Sequence, residues 1–191
     1  MKLNLLIITI ASFLIIGCTG TEIKVRPETT LISQNAIQLY ESVGVKDVSS
    51  NPTLPQAGNM TEAFSAEIRK SGIAKEVYYP SRPDDKADIL LESQFNVALD
   101  PHSGAASAKA FFTGFTFFIL EPLFWYDYDY KLSGTVDVFK NGKVIKQLTA
   151  VTDATMSVKW LSLGKVASLE VETLDKAKKS LFQQLISDIG K

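Results

Sequence analysis

The clearest alternation of apolar and polar positions runs from Ala87 to Asp100. Ile89, Leu91, Phe95, Val97 and Leu99 point one way, while Glu92, Gln94, Asn96 and Asp100 point the other. A period of two over such a length predicts a long strand with one buried face. Upstream, Asn59 and Glu62 stand at capping-box spacing, and Met60, Phe64 and Ile68 fall on one helical stripe that Gly72 closes. Short strands are predicted at Val43 to Val48 and Lys75 to Tyr79, the second stopped by Pro80, and Asn35 to Ser42 reads equally as a helical turn or a strand.

Two further strands follow from the pattern. Tyr126, Tyr128, Tyr130, Leu132, Val136 and Val138 alternate with polar residues, and Val144, Leu148, Ala150, Ala154, Met156, Val158 and Trp160 share a parity in the next run. Lys140-Asn141-Gly142-Lys143 joins them. A two-residue Asn-Gly turn would place the two apolar sets on opposite faces, so a three-residue loop with Gly142 left-handed is predicted, pairing Phe139 with Lys143. In that register Tyr126 falls opposite Met156 and Asp129 opposite Asp153. The last element is an amphipathic helix from about Glu172 to Ile189, with Leu174, Ala177, Leu181, Leu185 and Ile189 on one stripe and Phe182 and Ile186 beside it. Glu170 and Glu172 suit its start, and Gly190 its end. Together these elements predict an α+β fold: a single mixed or antiparallel sheet with a long hairpin, packed against two helices on one face.

The N-terminus has a different character. Met1-Lys2 supplies one positive charge, and Leu3 to Ile16 is apolar except for Asn4, Thr9 and Ser12. This is the pattern of a signal-peptide core, shorter than the roughly 20 residues that cross a bilayer. It ends in Leu14-Ile15-Ile16-Gly17-Cys18, and Cys18 is the sole cysteine. An internal disulfide is thereby excluded. The segment resembles the lipobox of bacterial lipoproteins. That resemblance implies cleavage before Cys18, diacylglycerol on its sulfur and an acyl chain on its amine. Thr19, in place of Asp, implies sorting to the outer membrane, with the domain facing the periplasm. The expected organisation is a signal peptide over 1–17, an acylated Cys18 and tether over 18–42, and one domain over 43–191. Thr19 to Gln34, polar and containing Pro27, reads as an extended tether whose sixteen or so residues would reach roughly 50 Å.

The order of strand, helix, strand and Ala87-Asp88-Ile89-Leu90-Leu91 carries a second resemblance. With Val43 to Val48, Asn59 to Ser71 and Glu76-Val77-Tyr78-Tyr79, it is similar to the α/β module of the TolB N-terminal domain, the curli secretion lipoprotein and the lipoprotein activators of penicillin-binding proteins. Phe112 to Tyr130 followed by an Asn-Gly hairpin resembles small outer-membrane lipoproteins of no assigned activity. No catalytic residue comes across from either.

Composition narrows the function. The chain of 191 residues has 20 basic and 21 acidic side chains, so no excess of positive charge favours nucleic acid. Its one histidine, His102, lies in a Pro-His-Ser-Gly stretch without nucleophile elbow, zinc spacing or phosphate loop. An enzyme is not expected, nor is a cofactor or a resident metal. Asp129 facing Asp153 would be unfavourable unless solvated or bridged by a cation, and Lys131 and Lys159 nearby favour the solvated reading.

The candidate surface is aromatic. Phe111, Phe112, Phe115, Phe117, Phe118, Phe124 and Trp125 crowd a segment that Glu121-Pro122 interrupts, and the predicted register brings Trp160 to the same end. This segment is either folded into the core or exposed to a membrane or a protein partner. The expected function is a lipid-anchored, non-enzymatic accessory or assembly factor that meets an envelope protein at this end. The alternative is a binding module with an aromatic pocket for an apolar or glycan ligand.

Overall fold

The computed structural model describes residues 20–28, 38–47, 57–82, 84–99 and 125–191. In chain order these form β1 (Thr21–Arg26), β2 (Tyr40–Val45), α1 (Met60–Ser71), β3 (Ala74–Tyr78), β4 (Ile89–Leu99), β5 (Trp125–Lys140), β6 (Lys143–Lys159), a 3₁₀ segment (Trp160–Lys165) and α2 (Val166–Ile189). The sheet has the order β1-β6-β5-β4-β2-β3. Strand β2 pairs in parallel with both β3 and β4, and β4 pairs antiparallel with β5. The chain adopts the α+β class that its patterning predicts, a single mixed sheet with two helices.

By contacts the chain divides into two compact units. The described residues of the first are 20–24, 125–129 and 155–173; those of the second fall within 25–99, 130–154 and 174–191.

The second unit holds the principal core. Helix α1 starts where Asn59 Oδ1 accepts the Glu62 amide at 3.0 Å, and it ends at Gly72, whose φ is 72°. Its Met60, Phe64 and Ile68 are fully buried. They meet the face of β4 formed by Ile89, Leu91, Phe95 and Val97, all buried at the predicted parity. Leu91 stands opposite Val138, Phe95 opposite Gly134 and Val97 opposite Leu132, so the apolar faces of β4 and β5 are continuous. Helix α2 adds Leu174, Ala177, Leu181, Phe182, Leu185, Ile186 and Ile189, every one buried as its stripe predicts. Phe64, Phe95 and Phe182 form a closed trio with centroids 5.4–5.5 Å apart. One ring comes from each helix and one from the sheet, which fixes both helices on the same face.

Several boundaries differ from expectation. Strand β2 begins at Tyr40, before the predicted Val43, and α2 begins at Val166, ahead of Glu172. Thr21–Arg26, expected within a tether, is a strand of the sheet. Its alternation of Glu22, Lys24 and Arg26 with the half-buried Ile23 and Val25 is the signal, and a single short strand of exposed charge is easily read as linker.

The hairpin differs too. Its strands end at Lys140 and resume at Lys143, with Asn141 at φ 52° and Gly142 at φ 75°. This is a two-residue turn with both central residues left-handed, not the three-residue loop. Such a turn pairs even positions with odd ones, yet Leu132, Val136 and Val138 on β5 and Leu148, Ala150 and Ala154 on β6 are all buried. The pairing must therefore slip by one residue along the hairpin, as a β-bulge provides. Val144 and Ile145, exposed in succession just after the turn, break the alternation.

Candidate functional site

In the second unit, the ends of β2 and β3 open into a groove of about 720 Å³. Leu90 and Phe139, paired across the β4–β5 ladder, line it together with Lys46, Arg82, Asp85 and the Asn141-Gly142 turn. Ends of parallel strands leave such crevices because their loops diverge there.

Local bonds build the rim. The Ser81 amide donates to the Val45 carbonyl at 2.9 Å, carrying the chain past Pro80 alongside β2. Asp85 accepts the Arg82 amide at 2.6 Å and closes the turn. One oxygen of Asp88 accepts the amides of Glu41 and Ser42 at 2.9 and 3.1 Å. The Ser42 hydroxyl in turn donates to the Lys86 carbonyl and accepts the Asp88 amide, each at 3.1 Å. Asp88 thus holds the entry of β4 against β2, a structural task. Lys46 pairs with Glu92 at 2.9 Å, and its ammonium lies 4.9 Å from the Phe139 ring centroid. Both contacts use a half-exposed lysine, so each contributes well under about 1 kcal/mol.

Beside the groove, Asn59 Nδ2 donates to the Tyr79 hydroxyl at 3.1 Å, and that hydroxyl donates to Asp47 at 3.2 Å. The cap of α1 is thereby linked to the ends of β3 and β2. Burial, the main cause, raises the Tyr79 pKa above 10.0, Asn59 opposes the shift and Asp47 reinforces it.

In the first unit, the chain at Gly20 is fixed by hydrogen bonds. The Gly20 carbonyl accepts the Lys159 amide at 2.9 Å, and the Gly20 amide donates to the Ser162 hydroxyl at 3.3 Å. Trp125 lies against this glycine: a Cβ at position 20 would stand 3.0 Å from the edge of the indole and 3.3 Å from the Lys159 side chain. The Lys159 ammonium sits 5.1 Å from the Trp125 ring centroid. Gly20, Trp125 and Lys159 therefore make one small assembly, in which the indole is half-buried. Sequence reasoning placed Trp125 in the candidate surface but missed Gly20 and Ser162, because their bonds connect positions remote in the chain.

Cys18, Phe111, Phe112, Phe115, Phe117, Phe118, Phe124 and His102 lie outside the described residues, as does the side chain of Trp160. Asp129 accepts the Thr155 hydroxyl at 2.6 Å, two residues beyond the Asp153 predicted to face it.

Among the described residues no helix is long and apolar enough to cross a membrane, and no group of three acidic, histidine or cysteine side chains is placed to hold a metal ion. The groove's lining contains one aromatic side chain, Phe139.

No family model matches the chain, and no curated protein does. Among solved structures it is similar to a minor lipoprotein from Acinetobacter baumannii, at 11% identity and a TM-score of 0.44, over 81% of this chain and 93% of that one. It is similar to a lipoprotein from Caulobacter crescentus CB15 at 7% identity and a TM-score of 0.41, over 78% and 87% of the two chains. A third similarity, at 15% identity and a TM-score of 0.39, is to the PelC dodecamer from Paraburkholderia phytofirmans, over 87% and 96%.

Proposed function

We propose that the protein is an envelope lipoprotein anchored by acylated Cys18 to the outer membrane, where it serves, without catalysis, as an accessory or assembly factor for an envelope protein. The observation that carries this reading is the spacing of Cys18 and Gly20. The cysteine of the lipobox-like segment lies two residues before a glycine hydrogen-bonded through both its amide and its carbonyl. Acylation there attaches a folded domain to the membrane, and each buried methylene of the lipid contributes about 0.8 kcal/mol.

The groove at the ends of β2 and β3 is the surface proposed for the protein partner. Lys46 and Arg82 alternate around it with Asp47 and Asp85, and Leu90 and Phe139 supply an apolar floor. Mixed charge around an apolar centre suits a polypeptide segment. The same floor supports a second reading, a small apolar or glycan ligand, since its volume falls within the usual range for such sites of about 300–1,000 Å³. Two experiments test the proposal. Cys18→Ser is expected to move the protein from the membrane to the soluble fraction. A photo-crosslinking residue at position 82 is expected to capture one envelope protein in intact cells. Retention on the membrane of Cys18→Ser with its signal removed would refute the lipid as the sole anchor, and a groove that crosslinks to nothing but binds a small ligand would favour the second reading.

A further inference from the structure

The anchor and the Trp125 end are too close together for a free tether to lie between them. Two residues of extended chain reach at most about 7 Å. Cys18 is therefore within about 7 Å of Gly20, and the indole of Trp125 lies against Gly20. A bilayer's headgroup layer is roughly 5–8 Å thick on each side. If the sulfur of Cys18 carries lipid, the indole is within reach of that layer when this end of the domain faces the membrane. We infer that the Gly20 lock holds the Trp125–Lys159 end of the protein on the lipid surface to which Cys18 is attached. This rests on the lipid anchor proposed above, and it assigns the aromatic end to lipid rather than to a protein.

The side chains suit that surface. A half-buried indole with a lysine ammonium 5.1 Å from its ring centroid pairs the two side-chain types, apolar body and polar tip, that settle at a membrane–water boundary. Net charge does not drive the contact. Lys24, Lys159 and Lys165 are outnumbered in the described part of this unit by Glu22, Asp127, Asp129, Glu170 and Glu172. The lock does the positioning, so the contact should persist at high salt, unlike a polybasic attachment.

The test uses the full acylated protein, its modification first verified by mass spectrometry, in vesicles of phosphatidylethanolamine and phosphatidylglycerol with brominated acyl chains. Trp160→Phe leaves Trp125 as the sole indole. The expected result is that Trp125 loses most of its emission in brominated vesicles, with and without salt, and becomes less accessible to acrylamide than in the soluble Cys18→Ser form. If Trp160→Phe fails to fold, the difference between wild type and Trp125→Phe gives the same contrast. A flexible insert of about ten residues between Thr19 and Gly20 adds a mean reach of roughly 15–19 Å. It is expected to abolish most of the quenching while the protein stays membrane-bound. Trp125 emission indifferent to bromine in an acylated protein would overturn the inference and leave the anchor standing. Quenching unchanged by the insert would overturn the role of the lock. Crosslinks from position 125 to a protein and none to lipid would overturn the choice of partner. Absence of acylation would remove both the anchor and the inference.

Discussion

Gly134 stands directly across the ladder from Phe95, and the ring of Phe95 occupies the space where a side chain at 134 would begin. A Cβ there would lie 2.8 Å from Phe95 Cε1 and 3.2 Å from Leu185 Cδ1. Because Phe95 also packs on Phe64 and Phe182, the ring has nowhere to retreat. Gly134→Ala is expected to cost about 1–3 kcal/mol through overpacking. Urea unfolding of Gly134→Ala, Phe95→Leu and the double variant checks this, and the double variant should lose less than the sum of the singles.

Asp88 gives a second expectation. Its carboxylate accepts the Glu41 and Ser42 amides of β2 on one oxygen, at 2.9 and 3.1 Å. Asp88→Ala should cost about 1–3 kcal/mol by removing a charged acceptor. Asp88→Asn keeps one acceptor oxygen and should cost less. Thermal melts of the two variants at neutral pH give the ranking, and equal losses would show that charge, not acceptance, is what matters.

Most of the fold was legible because it rests on local periodicity. The buried parity of β4, the stripes of α1 and α2 and the Asn59 cap each depend on residues within a few positions of one another. What was not legible depends on partners distant in sequence. Strand β1 is short and lined with charge, and only its place in the sheet reveals it as a strand. The groove is assembled from Lys46, Arg82, Leu90 and Phe139, which no spacing connects. The Gly20 lock spans more than a hundred residues to Ser162. Parity correctly showed that the hairpin needed an extra residue, but parity alone could not assign it to the loop or to a slip within the strands.

Tyr79 provides a pH dependence. Its folded pKa lies above 10.0, with burial as the first cause, so the phenol holds its proton more tightly in the folded chain than in the unfolded one. The resulting stability is fully present below the unfolded value of about 10 and is lost as pH rises through the folded value. Tyr79→Phe lacks this contribution and the hydrogen bonds to Asn59 and Asp47. The stability gap between wild type and Tyr79→Phe should therefore narrow as pH increases above about 10. Denaturant unfolding at a series of alkaline pH values measures it, and a gap that widens would contradict the assignment.

The turn at Asn141-Gly142 separates the two accounts of the hairpin. With φ at 52° and 75°, both central residues occupy the left-handed region, where a β-branched side chain is strained and glycine is not. In a three-residue loop only Gly142 would need that conformation. The two-residue turn therefore predicts that Asn141→Val destabilises by about 1–2 kcal/mol, while Asn141→Gly is close to neutral. Gly142→Ala should also destabilise, by about 1 kcal/mol. Neither position touches the buried faces of β5 or β6, so packing does not confuse the comparison. Equal stability of Asn141→Val and Asn141→Gly would place the extra residue in the loop rather than in a slip along the strands.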